Sequence, residues 1–399
     1  MIKISVLGDI MCEPRMIKAA HIKNKSYDFS KVFEHVHSLL TESDLVIGNL
    51  ETPIAGKEAR YSNSLFSFNA PDEFVDAIIN AGISFLSTAN NHCLDRGLDG
   101  LIRTIQLLDS KGIAHDGTFI DPNHIKTPYI VEIQNIKISI IVFTYGTNYG
   151  THHRLLPDDR YVNLLHSEVM PIYLKNKKKG LLSAAKRKIF GLVKQEYVIA
   201  AKKAMKMQYN YPREDNYIDF NAIEPYFRDL VNMIKEAKKH ADFVLFYPHV
   251  GGQFNLNPGQ FTERVIDTAL ENKVDAIVAS HPHVVQKAVS HNGTPVFYSI
   301  GNFSMSPNSV YLLHENLPDY GLIVHFYLSN GKNTKTSFSI IKMVEKKNDI
   351  LTVFPLDKIW SISDTYEKNE IEKSVKQIYR TVTGKDLIEN VIQKEYLMD

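Results

Sequence analysis

Five runs of apolar, strand-forming residues in this chain each lead to side chains able to ligate a metal ion. Residues 2–7 run into Gly8-Asp9, residues 45–47 into Gly48-Asn49-Leu50-Glu51, and residues 83–86 into Ser87-Thr88-Ala89-Asn90-Asn91-His92. Residues 243–247 run into Pro248-His249, and residues 276–279 into Ser280-His281-Pro282-His283. Short apolar runs bounded by Gly, Pro, Asn and Ser read as buried strands. In open α/β folds, ligands bind beyond the carboxyl ends of the strands. A fold that serves this pattern must bring those five ends together.

Helical patterns separate the runs. Residues 71–80 read as a helix with Pro71 in its first turn. Leu101, Ile102, Ile105 and Leu108 mark one apolar face over 98–111, and Gly112 suits the C-terminal cap. Further helices are expected over 223–240 and 262–272. Hairpins are expected over 129–143, turning near Gln134-Asn135, and over 284–298, turning at Asn292-Gly293. Residues 320–354 read as more strands with a turn at Asn330-Gly331, and the tail from about 365 as helix. Strand–helix alternation with inserted hairpins predicts an α/β sandwich of mixed sheets. The reading gives one domain over 1–355 and a helical extension over 356–399.

A net charge of +1 supplies no overall field toward nucleic acid, and no nucleic-acid partner is expected. Two cysteines, Cys12 and Cys93, imply no disulfide framework. No run approaches the ~18 apolar residues that span a bilayer. The N-terminal apolar run is too short for a signal peptide, so a cytoplasmic location is the expectation.

One stretch departs from the rest. Residues 171–210 carry ten lysines and Arg187 against one acid, Glu196, a net charge of +10. Leu181, Leu182, Ile189, Phe190, Leu192, Val193, Val198 and Ile199 are interleaved with them. The pattern predicts a basic amphipathic helical insertion over about 165–216. Such helices favour anionic membrane surfaces and acidic polymers. The stretch reads equally as a solvated lysine-rich hairpin or as a peripheral contact at the inner membrane surface or with an acidic polymer through 171–210.

The strand-end residues Asp9, Asn49, Glu51, Asn91, His249, His281 and His283 offer carboxylate, amide and imidazole donors that suit Mn²⁺, Fe²⁺ or Zn²⁺. Taken singly, Asp9 reads equally as a turn former or helix cap, Asn90-Asn91 as turn residues, and His249 as a satisfied structural histidine. The His-Pro-His at 281–283 is more telling, because a rigid proline fixes the directions of both histidines. Recurrence at five strand ends points to one or two divalent ions. Two ions ~3.5–4 Å apart need about this many ligands, with one carboxylate shared.

Longer motifs surround these residues. Gly8-Asp9-Ile10-Met11 with Arg15, Gly48-Asn49-Leu50-Glu51-Thr52-Pro53, Phe68-Asn69-Ala70-Pro71 and Asn90-Asn91-His92-Cys93-Leu94-Asp95 resemble the CapA (poly-gamma-glutamate capsule) family. So do Tyr145-Gly146-Thr147-Asn148, His249-Val250-Gly251-Gly252, His281-Pro282-His283-Val284-Val285-Gln286 and Ser299-Ile300-Gly301-Asn302-Phe303, in the same order. The resemblance covers about 1–150 and 217–305. It implies a calcineurin-like metallophosphatase fold, a four-layered α/β sandwich with its metal site between the sheets. By that resemblance Asp9 and His283 hold one ion, and Asn91, His249 and His281 the other. Glu51 or Asn49 then takes the bridging place, with His92, Asp95 and Arg15 as the catalytic candidates.

The implied activity is metal-dependent hydrolysis of a phosphoester or an anionic polymer in capsule or cell-envelope metabolism. The alternative is a non-catalytic component that binds or exports capsule polymer, and by the same resemblance 171–210 would contact capsule machinery. Ordinary metallophosphatases carry a metal-binding histidine two residues after the first aspartate, and here Met11 stands there. Tyr145 and Asn148 either line the cleft or serve the hairpin end.

Overall fold

The computed structural model describes residues 1–398 except 23–25, 64–65, 149–153, 167–194, 206, 208–211, 214, 217–219 and 347–348. The first sheet contains β1 (Ile2–Ile10), β2 (Leu45–Leu50), β3 (Phe85–Ser87) and β4 (Ala114–Asp116), all mutually parallel. The second contains β5 (Tyr129–Ile133), β6 (Ile136–Thr144), β7 (Phe243–His249), β8 (Ala276–Val278), β9 (Ala288–His291) and β10 (Thr294–Phe297). Its order is β5-β6-β7-β8-β10-β9, with a parallel centre and antiparallel edges. The chain then returns to the first sheet with β11 (Asn302–Ser304), β12 (Tyr320–Ser329), β13 (Lys332–Val344), β14 (Thr352–Pro355) and β15 (Tyr396–Leu397). Among the described residues that sheet has the order β14-β13-β12-β1-β2-β3-β4, with β11 on β1 and β15 on β13.

Period-two alternation builds the layers. Ile2, Ile4 and Val6 of β1 pack with Ile138, Ile140 and Val142 of β6 and Phe243, Leu245 and Tyr247 of β7 in one core between the sheets. The alternate residues face outward onto helices. The first sheet's outer core gathers Leu7 with residues of α1 (Pro14–Ala20), α2 (Ser30–Phe33), α3 (His37–Leu40) and α4 (Glu73–Asn80). Behind α4 in sequence lies α5 (Gly97–Ser110), then α6 (Gln195–Ala204) and α7 (Phe220–His240). Leu230, Ile234 and Ala237 of α7, and Val265, Ile266 and Ala269 of α8 (Gln260–Glu271), cover Ile141, Phe143, Val244 and Phe246 of the second sheet. The result is the four-layered α/β sandwich of mixed sheets expected from the sequence.

The expected turns form where the sequence placed them. Gln134 and Asn135, Asn292 and Gly293, and Asn330 and Gly331 all take positive φ, as two-residue hairpin turns require. Two boundaries differ. Pro71 precedes α4, whose N-terminal cap is Asp72. Strands β1 and β2 also run past their apolar cores to Ile10 and Leu50. Asp9 and Asn49 therefore sit inside the paired strands, opposite each other in register.

The C-terminal segment forms α9 (Leu356–Ile362), α10 (Thr365–Thr383) and β15. Ile371, Val375, Ile378 and Val382, spaced by four, three and four, bury one stripe of α10 in the inter-sheet core. Each such side chain contributes about 1.5–3 kcal/mol on burial. No helix among the described residues is long and apolar enough to cross a membrane. Of the basic stretch 171–210, only 195–205 and 207 fall among the described residues. Within them α6 is helical as expected, with Ile199 packed against the outer core of the first sheet.

Beside β15, the Glu395 carboxylate accepts from Tyr327 (2.8 Å), Ser337 (2.5 Å) and Lys335 (2.8 Å). Burial alone would raise its pKa, but these donors hold it down at about 2. Nearby, burial and the charge of Lys3 push the His325 imidazole down to about 3. Both groups bind fewer protons folded than unfolded. His325 penalises folding increasingly as pH falls below about 6.5, and the Glu395 contribution is lost as pH falls from about 4.5 toward 2. Tm should therefore drop on acidification from pH 7 to 4. Glu395→Gln should lower Tm at pH 7 and make that drop shallower; an unchanged drop would refute the assignment.

Candidate metal centre

The register of the parallel strands carries side chains from both sheets to one place. Asp9 of β1 lies opposite Asn49 of β2 on one side and Asn302 of β11 on the other. Gly8 permits this pairing, because a Cβ there would lie 2.1 Å from the Gly301 carbonyl oxygen. From the second sheet, His249 ends β7 and bridges to Ser280, which leads into His281-Pro282-His283. His281 and His283 both take positive φ, at 107° and 58°. Such conformations cost of order 1–3 kcal/mol each, and they concentrate at functional sites. Pro282 lies against Gly251, where a Cβ would come within 2.7 Å of its ring.

Asp9, Asn49, Glu51, Asn91, His92, Asp95, His249, His281 and His283 are all buried. Asp9 accepts from Asn49 Nδ2 (2.8 Å) and from the His281 backbone N–H (3.1 Å). It lies 3.5 Å from both His249 Nδ1 and His283 Nδ1. His249 Nε2 is 2.8 Å from Asn91 Oδ1 and 3.2 Å from His281 Nδ1.

Glu51 lies at the centre. Its Oε1 is 3.4 Å from His249 Nε2, 3.8 Å from His283 Nε2 and 4.0 Å from His92 Nε2. Neither carboxylate oxygen has a hydrogen-bond partner among the described residues. Ligand atoms of Asp9, Glu51 and His249, and of Glu51, His281 and His283, fall within 4.8 Å of one another. Glu51 is common to both sets. The distances also bring Asp9 beside His283, and His249 beside Asn91 and His281.

An unpartnered buried carboxylate costs several kcal/mol, and a cation among such donors removes that cost. The donor set of carboxylates and imidazoles fits a divalent ion. Asn49 is committed otherwise: its amide nitrogen bonds Asp9 and approaches His249, and its oxygen accepts from Asn90.

The charges are arranged accordingly. Burial would raise the Asp9 carboxyl, but His249, His283 and Asn49 hold it down at about 2. Burial would lower His249, but Glu51 and Asp9 raise it to about 9. Burial and the neighbouring imidazoles push His281 well below its ordinary value. His92 is lowered by burial and raised on balance by Asp95 and Glu51. Asp95 Oδ2 accepts from His92 Nδ1–H at 2.8 Å and from the Phe68 backbone N–H at 2.6 Å. An ionised carboxylate only accepts, so Nδ1 carries the proton and Nε2 faces Glu51.

Arg15 stands apart from this cluster. It opens α1, pairs with Glu345 at 3.3 Å, and leaves its side chain 52% exposed. Met11 packs in the outer core of the first sheet. Sequence reasoning missed the supporting roles of Asn302, which accepts from His283 Nδ1 (2.8 Å), of Ser280, 3.2 Å from His249 Nδ1, and of Asn90. Asn302 was detectable in its motif, but its partnership with Asp9 needs the register of β11.

The profile of the family described as bacterial capsule synthesis protein PGA_cap matches residues 3–306, which include every residue of the cluster. The chain belongs to this family. It is 24% identical over 305 residues to the PGA biosynthesis protein CapA of Bacillus subtilis strain 168, covering 75% of this chain and 62% of that one. It is 24% identical over 306 residues to the capsule biosynthesis protein CapA of Bacillus anthracis, covering 75% and 59%. The match thus spans about three fifths of each relative. Among solved structures, a putative 5'-nucleotidase from Staphylococcus aureus, in complex with alpha-ketoglutarate, superposes with a TM-score of 0.41 at 11% identity, over 94% of this chain and 57% of that one.

The centre predicts a simple dependence. Ligand histidines must be neutral, and His249 is raised to about 9, so metal affinity should fall as pH drops below about 9. Glu51→Gln keeps the shape and removes the shared charge. It should weaken divalent-metal affinity at least about 100-fold and abolish the rise in Tm that added Mn²⁺ gives the parent. Metal content after dialysis checks this, and parental stoichiometry in Glu51→Gln would contradict it.

Proposed function

We propose that this member of the capsule synthesis family is a metal-dependent hydrolase of metallophosphatase type. Its substrate would be a phosphoester or an anionic polymer of capsule or envelope metabolism. The observation that supports it most is the buried Glu51 carboxylate facing three imidazoles beside a His92–Asp95 pair. Asp9, Glu51, His249, His281 and His283 would hold the divalent ion, with Asn91 orienting His249. When bound, that ion supplies Lewis-acid stabilisation of negative charge on the reacting oxygens.

The remaining work falls to this chain's own residues. Asp95 fixes the His92 tautomer and keeps Nε2 turned toward the cluster. Asp95 and Glu51 also favour the doubly protonated ring, and from that form Nε2 can give its proton to a departing oxygen, a role of general acid that leaves the Nδ1–H tautomer. The buried position excludes bulk water and strengthens each electrostatic contact.

His92→Ala should lower kcat for a generic phosphodiester in Mn²⁺ by about 10²–10⁴, with metal content unchanged, and Asp95→Asn should lower it less. Full activity in His92→Ala would refute the reading. Metal binding without turnover in the parent would favour the second reading, a non-catalytic polymer-binding component, to which Met11 in the place of a ligand histidine lends support.

We assign the contact with anionic polymer or membrane surface to the basic stretch 171–210, on its charge of +10. Deleting it should abolish binding to polyglutamate or to anionic liposomes; unchanged binding to both would remove the assignment.

A further inference from the structure

Most polar side chains around the cluster are sealed from solvent, but two at its edge are not. Tyr145 and Asn148 follow β6, and both are half-buried. The Tyr145 ring lies 4.5 Å from the His281 ring and 6.4 Å from the His249 ring, centroid to centroid. Its backbone N–H donates to the His249 carbonyl at 3.1 Å, which ties this turn to the end of β7. The Tyr145 hydroxyl donates to Asn148 Oδ1 at 3.4 Å. That bond turns the Asn148 amide nitrogen the other way, to 3.5 Å from His92 Nε2. Asn148 holds this pose at a φ of 58°, which asparagine tolerates better than other side chains with a Cβ.

Three other amides near the cluster are spent within it. Asn49 Nδ2 goes to Asp9, Asn90 Nδ2 to the Leu50 carbonyl, and Asn302 Nδ2 to the carbonyls of His283 and Pro318. Among the described residues the Asn148 amide nitrogen, with its two hydrogens, makes one long contact. It therefore presents a donor into the space that His92 Nε2 and Glu51 also face.

We infer that Asn148 binds a non-bridging oxygen of a tetrahedral oxyanion, such as a phosphoryl group, held between the cluster and His92. Tyr145 is a positioning residue that sets the direction of the amide. The inference rests on the hydrolase reading for its substrate class, but binding tests it without turnover.

The test is titration of Mn²⁺-loaded protein with inorganic phosphate, followed by calorimetry, in the parent and in Asn148→Ala, Asn148→Gly and Tyr145→Phe. Glycine takes the positive φ without strain, so Asn148→Gly separates loss of the amide from loss of the turn. Losing a hydrogen bond to a charged group weakens binding about 10–100-fold. That loss is expected in both Asn148 variants, and a smaller one in Tyr145→Phe, with metal content unchanged. Where turnover is measurable, kcat should fall more than KM rises.

Phosphate affinity within twofold of the parent in Asn148→Gly would overturn the inference. So would a metal-loaded parent that binds no phosphate. Weakened phosphate binding in the variants of a parent that turns nothing over would keep the inference and remove the hydrolase reading. Turnover in the parent with unchanged phosphate affinity in the variants would do the reverse.

Discussion

The Glu51 carboxylate is the constraint on which the rest of the site depends. It is fully buried, and its oxygens face imidazoles instead of amide or hydroxyl donors. A buried anion of this kind is stable only if positive charge comes to it. Four histidines from three separate segments converge there, and three of them lie within 4.0 Å of one oxygen. The surrounding amides are held away by their own partners. Asn49 is turned to Asp9 and Asn302 to two carbonyls, so neither neutralises the carboxylate by hydrogen bonding. The same demand accounts for the positive φ at His281 and His283. The rigid Pro282 and the bare backbone of Gly251 beside it hold both conformations in place.

The layered fold supplies this convergence at low cost. Parallel strands end together, so one register brings Asp9 beside Asn49, and the parallel centre of the second sheet delivers His249 beside Ser280. The inter-sheet core, with Ile4, Val6, Ile140 and Leu245, fixes the two sheets against each other. The antiparallel additions β12–β15 and the α10 stripe enlarge that core on the far side of β1. They lie beyond the matched family region, which ends at residue 306.

Much of this was legible in the sequence because burial and ligation leave local marks. Apolar runs gave the strands, the Asn-Gly pairs and Gln134-Asn135 gave the turns, and histidines at run ends gave the cluster. What was not legible depends on partners distant in sequence. Arg15 sits beside the first motif, but its partner is Glu345, 330 residues away, and that pair draws it outward. Strand β15 has two residues, too few to show an alternation. Whether Asn49 or Glu51 takes the central place was equally undecidable, since both follow the same apolar run. Strand β2 decides it by continuing through Leu50: Asn49 stays in the ladder and Glu51 emerges beyond it.

The charge of the centre bears on what it can accept. With its histidines neutral, the cluster holds two negative charges, on Asp9 and Glu51. The Asp95 charge lies against the His92 ring instead. One divalent ion therefore balances the cluster, and a second leaves an excess of about two positive charges. Such a buried excess is tolerable only with an anionic ligand present, because an unpaired charge in a low-dielectric site carries a large desolvation cost. On the proposed metal-dependent reading, the donor composition thus couples occupancy by a second ion to binding of an anion.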